Sequence, residues 1–301
     1  MIGRDLLRKL TPNSILNWNR KRKKKKINAK LTQQKKSGAI YTKQQIKNDL
    51  LSIGLKNGDC ILVHSALSKI GYLEEGPKTL VDALIEVVGE EGHILMPTSP
   101  NHVYQLNYIR NTPLFDVLNS PSKTGAITEY FRTLTNVKRS LHPTEPVSVL
   151  SQKADQFIEG HFKAITPYTS SSPFAKVAEF NGKILYIGVT LDNAGTSLHT
   201  LEDAIEDFKY PIYYPEIFSI KVIDSKGESH TVKTKVHDPK YSKLRQCDKL
   251  IPHFENAGAL KPVKIGLADT LCVDAKLFFN TMVSLYNEKG ITMYTPNGGE
   301  I

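Results

Sequence analysis

Cysteine is scarce in this 301-residue chain: Cys60, Cys247 and Cys272 stand far apart and odd in number. They form no CxxC pair and no Cys/His metal spacing, which excludes a disulfide framework and a zinc knuckle. Long apolar runs are also missing, and none reaches the roughly 18 residues of a membrane span. The basic N-terminus is not followed by an apolar signal core or a small-residue cleavage site. A reducing, cytoplasmic compartment is therefore expected. Glycine-rich nucleotide motifs are absent as well. There is no GxxxxGK[ST], and no GxGxxG follows a strand. No internal repeat is visible.

Positive charge is abundant, but it sits in one place. Residues 1–26 hold ten Lys/Arg against Asp5 alone, so nearly all of the net +10 lies there and the remainder is close to neutral. A basic charge spread over the whole chain would point to nucleic acid. Here it marks a tail, and no nucleic-acid partner is expected. Residues 1–38 read as a basic N-terminal tail, either disordered or amphipathic, with 39–301 as the body. Leu6, Leu7, Leu10, Ile15, Leu16 and Trp18 interleave with Arg4, Arg8, Lys9 and Arg20, before the run Lys21 to Lys26. Pro12 breaks any single long helix. The amphipathic reading implies peripheral contact with an anionic membrane, at the inner face.

The body alternates strands and helices. Thr42 reads as the cap of a helix over 43–51. Residues 60–63, 94–97 and 184–187 read as buried strands, and 79–88 and 126–134 as helices. The fold class expected is α/β: a single α/β/α layered domain around a largely parallel sheet. After Tyr210 the texture changes. Residues 219–223 and 229–235, joined by Asp224-Ser225-Lys226-Gly227, read as a hairpin. A small antiparallel insertion near 215–237 follows, and 273–285 reads as a closing helix.

Four segments carry candidate chemistry. His64-Ser65-Ala66-Leu67-Ser68 directly follows a strand, where free backbone N–H groups can hold a phosphate or a carbonyl oxygen. Gly195-Thr196-Ser197 opens a helix on which His199 and Glu202 lie three positions apart, and so on one face. A carboxylate beside an imidazole fixes its orientation and raises its basicity, as a general base requires. The same pair also suits a surface contact, or a metal if the fold adds a third ligand from His64 or His142. His142-Pro143-Thr144-Glu145 and Phe115-Asp116 with Ser120-Pro121-Ser122 are the other two, and each alone reads as loop punctuation.

Taken in order, these pieces resemble the aminoglycoside 3-N-acetyltransferase (antibiotic N-acetyltransferase) family. The matching segments are Val63-His64-Ser65-Ala66-Leu67, Val81 to Gly89, Met96-Pro97-Thr98, Phe115-Asp116 with Ser120-Pro121-Ser122, His142-Pro143-Thr144, and Gly195 to His199 with Glu202. Lys264 to Ala268 resembles the family's C-terminal segment, so the likeness spans about 42–285. It implies an acyltransferase: acetyl-CoA-dependent N-acetyl transfer to the amine of an amino sugar, on a fold other than that of the common GNAT enzymes. No R/Q-x-x-G-x-G/A pyrophosphate loop is present. The resemblance makes His199 the base and Glu202 its orienting partner, in a cleft facing the thioester. It puts His64, Ser65, Ser68, Thr98, Thr196 and Ser197 on the acetyl-CoA side, and Asp116, His142 and Glu145 toward the acceptor, with no metal.

Two departures stand out. The family's Asn-Thr-Ser is Gly195-Thr196-Ser197 here, and its second histidine in the HP segment is Glu145. A near-neutral body offers no dense acidic patch for a polycation. That favours, slightly, a nucleotide- or lipid-linked sugar of polysaccharide biosynthesis over an aminoglycoside of antibiotic resistance. The alternative from a different class is a non-catalytic, membrane-associated binding module of the same fold.

Overall fold

Strands whose residues are apolar on both faces must be covered on both faces, and that requirement shapes this molecule. The computed structural model describes residues 13–101 and 104–300. In chain order the strands are β1 (Ile40–Tyr41), β2 (Cys60–Ser65), β3 (Tyr72–Leu73), β4 (His93–Pro97), β5 (Leu114–Asp116), β6 (Val137–Arg139), β7 (Val147–Leu150), β8 (Lys183–Ile187), β9 (Phe218–Ile223), β10 (Ser229–Thr234), β11 (Leu260–Ile265) and β12 (Ala268–Asp274). Seven of them form the main sheet, in the order β11-β12-β8-β2-β4-β7-β6. Alternation sends Ile61, Val63, Ile94, Met96 and Leu185 to one face and Leu62, Leu95, Ile184 and Tyr186 to the other. Helices Lys43–Ser52, Pro77–Val88 and Ala126–Arg132 cover the first face, and Pro173–Glu179 and Ala275–Lys289 the second. The α/β/α layering expected from sequence is present.

The sheet is less parallel than expected. Only β8, β2 and β4 run parallel. β7 returns antiparallel on β4 with β6 beside it, and β12 and β11 run antiparallel on the other side. The cause is local. Ile265 pairs with Ala268 across Gly266-Leu267, a two-residue connection that only an antiparallel pair can use. The closing helix accordingly starts at Ala275, where Asp274 accepts from the Leu277 N–H at 2.9 Å, and Val273 belongs to β12.

Other sequence readings hold to within a residue or two. Thr42 and Gln45 form a reciprocal capping box on the helix Lys43–Ser52. The β9–β10 hairpin turns at residues 224–228 and pairs through β9 with β5, making a three-stranded sheet with its own core of Phe115, Val222, Val232 and Val236. All three cysteines are buried and free. Burial pushes the Cys60 and Cys247 thiols up to about 12, and raises Cys272.

The first twelve residues of the expected tail lie outside the described residues. Asn13–Lys36 is one helix, with the lysine run at its middle and Trp18 57 % exposed. Its apolar and basic residues are not sorted onto opposite faces. It meets the body near its C-terminal end, where the Lys35 ammonium lies 5.5 Å from the Tyr72 ring centroid.

Candidate active site

The parallel strands β2 and β8 end side by side, and the segments that leave them build the site. His64 and Tyr186 are register partners, and their rings stack at 4.9 Å with a 3° interplanar angle. Gly188 then turns the chain at φ +69°; a Cβ there would meet the Lys69 Cβ at 2.5 Å. A short helix Leu191–Ala194 leads into a 3-10 turn, Thr196–His199, and the helix Thr200–Ala204. The turn and the helix together bring His199 and Glu202 face to face.

The His199 Nδ1–H donates to Glu202 Oε2 at 2.8 Å. A second imidazole, His237, donates from Nε2 to the same oxygen at 3.1 Å. The Tyr294 hydroxyl donates to Glu202 Oε1. All three partners of the carboxylate are neutral donors, so it keeps its charge. Burial alone would push the Glu202 carboxyl up, but the two imidazoles hold it well below the ordinary range. Burial pushes His199 down to about 3 against the pull of Glu202, and lowers His237 too. Both imidazoles are therefore neutral near pH 7. Among the described residues the His199 Nε2 has no hydrogen-bond partner, which leaves its lone pair for an incoming proton.

His199 is enclosed rather than set in the expected cleft facing the thioester. His199 is 4 % exposed, Glu202 5 % and His237 4 %. Tyr168 stacks over His199 at 4.9 Å, and the His199 and His237 centroids are 4.1 Å apart. A cavity of about 900 Å³ opens instead on the neighbouring side of the segment, at Ser197, Thr200 and Asp203, and Tyr168 forms part of its wall.

Two further carboxylates gather beside Glu202: its chain neighbour Asp203 and, from a distant loop, Glu145. Glu145 accepts from Gln105 Nε2, and Gln105 Oε1 in turn accepts from the His237 backbone N–H at 3.0 Å. Asp203 accepts from the Tyr168 N–H and from the Tyr213 hydroxyl, both at 2.8 Å. Burial pushes Glu145 up to about 7 and Asp203 up to about 6. The Arg245 guanidinium is held protonated against burial by Tyr294 and Glu202.

The remaining predicted residues divide. His64, Ser65, Thr196 and Ser197 come together: His64 Nε2 lies 3.4 Å from Thr196 Oγ1, and the hydroxyls of Ser65, Ser197 and Tyr186 are buried without a partner among the described residues. Burial pushes His64 down to about 3. Ser68 is exposed one turn beyond. Three others stand elsewhere. Thr98 is buried against Ser148 Oγ at 2.9 Å and the Arg139 guanidinium at 3.1 Å. Asp116 spends its carboxylate on the turn at Leu118 and Asn119. His142 is fully buried, accepts from the Glu145 N–H at 3.1 Å and meets Thr234 Oγ1 at 3.2 Å, so it ties the Glu145 loop to β10.

The model of the family described as aminoglycoside 3-N-acetyltransferase matches residues 62–287. The chain belongs to this family. Aminoglycoside N(3)-acetyltransferase IX of Micromonospora chalcea is 24 % identical over 272 residues, 84 % of this chain and 96 % of the relative. The structure of aminoglycoside acetyltransferase AAC(3)-Xa superposes with a TM-score of 0.73 at 24 % identity, over 87 % of this chain and 98 % of that one, a likeness of fold. The binary complex of AAC-IIIb with CoASH superposes with a TM-score of 0.69 at 26 % identity, over 82 % of this chain and 97 % of that one. As an aminoglycoside 3-N-acetyltransferase family member the protein is an acyltransferase.

Two features of this family member need a physical account. At Gly195 a Cβ would lie 2.5 Å from the Leu191 carbonyl oxygen, so this backbone leaves no room for a side chain. His199, Glu202 and His237 present ligand atoms within 4.8 Å of one another, near enough to hold a cation. The third member of that set is His237, rather than His64 or His142. The two N–H bonds to a single carboxylate oxygen already explain the convergence.

Of the residues around His199, the sequence does not single out His237, Tyr294, Arg245, Tyr168 or Gln105. His237 follows the β10 strand with no motif around it. Tyr213 stacks on His237 at 4.9 Å and bonds Asp203.

Proposed function

We propose that the protein transfers the acetyl group of acetyl-CoA to an amine of an aminoglycoside, with His199 as general base and Glu202 as its orienting carboxylate. The observation that carries this reading is the Nδ1-to-Glu202 bond of 2.8 Å, with Nε2 left without a partner among the described residues. An alkyl ammonium must lose a proton before it can attack a thioester. With that proton lost to solvent, His199 Nε2 takes a second one as the nitrogen bonds to the carbonyl carbon, and Glu202 offsets the imidazolium charge. The tetrahedral oxyanion then collapses and the C–S bond breaks. The leaving thiolate receives the proton back from His199. His64, Ser65, Ser68, Thr196 and Ser197 hold the donor, and the unpartnered Ser65 and Ser197 hydroxyls are groups able to donate to its oxygens.

Asp203 and the partly ionised Glu145, beside Glu202, offer negative charge to a polycation. This convergence supports the aminoglycoside over a nucleotide- or lipid-linked sugar. No described helix is long and apolar enough to cross a membrane. We place the protein in the cytoplasm, with the basic tail as its contact with anionic lipid. Thiol release from acetyl-CoA, measured against a panel of aminoglycosides and amino-sugar nucleotides, tests the reading. Acceptor-dependent release with an aminoglycoside is expected. Release with amino-sugar nucleotides alone would overturn the acceptor, and release with neither would overturn the activity.

A further inference from the structure

A buried carboxylate with a single donor on one oxygen can still rotate, and a base that leans on it inherits that freedom. Glu202 does not have it. His199 and His237 both donate to Oε2, and Tyr294 donates to Oε1, which fixes the carboxylate plane from two sides. His237 is itself clamped. Its backbone N–H is held by Gln105 at 3.0 Å, it bridges to Tyr213 in the backbone, and the Tyr213 ring lies on its own at a 10° interplanar angle. The hairpin insertion delivers it, 35 residues after Glu202.

We propose that His237 is a positioning residue for the base: its Nε2–H locks the Glu202 carboxylate against His199, so that His199 keeps one tautomer with Nε2 open to the acceptor. This rests on the reading of His199 as the base. The choice of an imidazole has a physical reason. A lysine or arginine donor would neutralise Glu202 and remove its help to the imidazolium formed at His199. A neutral N–H fixes the carboxylate without discharging it. The ring centroids lie only 4.1 Å apart, so His237 must also stay uncharged when His199 takes its proton. Burial, which lowers its pKa, serves that end. The ionisable groups facing this trio are Tyr294, Arg245, Tyr168, Tyr213, Asp203 and Glu145.

A pair of amide variants tests it. In His237→Gln the amide nitrogen reaches the place of Nε2, whereas in His237→Asn it stops near that of Nδ1. Asn should lower kcat by about 10–100-fold, the range for outer partners that orient a reacting group. The KM for acetyl-CoA should hold, and the acid limb of the kcat profile should move. Gln should recover most of kcat and the original profile. Equal kcat and unshifted profiles in both variants would overturn the proposal. If His199→Ala is inactive while His237→Asn behaves as the parent, this inference alone falls; if His199→Ala retains turnover, the base assignment falls. Long-range 1H–15N correlation on the unmutated protein needs no variant to fold. It should show His237 protonated at Nε2 and bare at Nδ1, and the opposite tautomer would overturn the assignment.

Discussion

Glu202 sets the behaviour of the residues around it, because one carboxylate accepts from two imidazoles and a phenol. Removing the proposed base should show first. His199→Ala should lower kcat by about 10²–10⁴-fold, the usual range for a lost general base, with little change in the KM for acetyl-CoA. Steady-state thiol release at saturating donor measures it, and near-parental kcat would remove His199 from the chemistry. Glu202→Gln should cost less. An amide can turn its oxygen to the two imidazole N–H groups and its nitrogen to the Tyr294 oxygen, so orientation survives and only the charge is lost. His199 and Glu202 were legible in the sequence because their contact is local, three positions along one turn. His237 and Tyr294 were not, because they reach Glu202 across 35 and 92 residues and carry no motif that marks them. Thr98, Asp116 and His142 show the reverse. Their motifs are recognisable, but each spends its polar atoms on holding a loop or the core.

At the scale of elements, buried apolar runs were legible as strands, but not their directions. Direction follows from connection length, and the two-residue link at Gly266-Leu267 makes β11 and β12 antiparallel whatever their composition. The hairpin insertion was legible from its turn, although its contribution of His237 was not. The N-terminal helix Asn13–Lys36 stands apart from both layers of the core. Deleting residues 1–36 should move Tm by no more than about 2 °C, the scale of a surface change in a domain of this size. A larger loss would make the helix part of the fold. With Lys21, Arg22, Lys25 and Lys26 exposed on this helix, the full chain should sediment with anionic vesicles, and less so as salt rises. Equal partitioning of full and truncated chains would leave the tail without a lipid role.

At the scale of the whole molecule, the body stores neutral imidazoles. Burial holds His64 and His199 at about 3, His161 at about 4 and His142 well below its ordinary value. Unfolded, each would titrate near 6.5. Between about pH 6.5 and 4 the unfolded chain therefore binds protons that the folded chain refuses, and stability falls as pH falls. Glu145 at about 7 and Asp203 at about 6 act in the opposite sense, losing stability as pH rises toward those values, but they are outnumbered. Tm should drop from pH 7 to pH 5, and an unchanged Tm over that span would contradict the buried-imidazole account. The three enclosed cysteines bring a different consequence. A thiol with a pKa pushed to about 12 has almost no thiolate at neutral pH, and the thiolate is the species that reacts. The folded protein should therefore ignore alkylating reagents, exchange with added disulfides, and S-acylation by thioesters. Each label gained becomes a record of an opening event, so the rate of iodoacetamide uptake by mass spectrometry reads how often the core opens. Rapid labelling at a native-state pH would show that the strands holding Cys60 and Cys272 breathe far more than their burial allows.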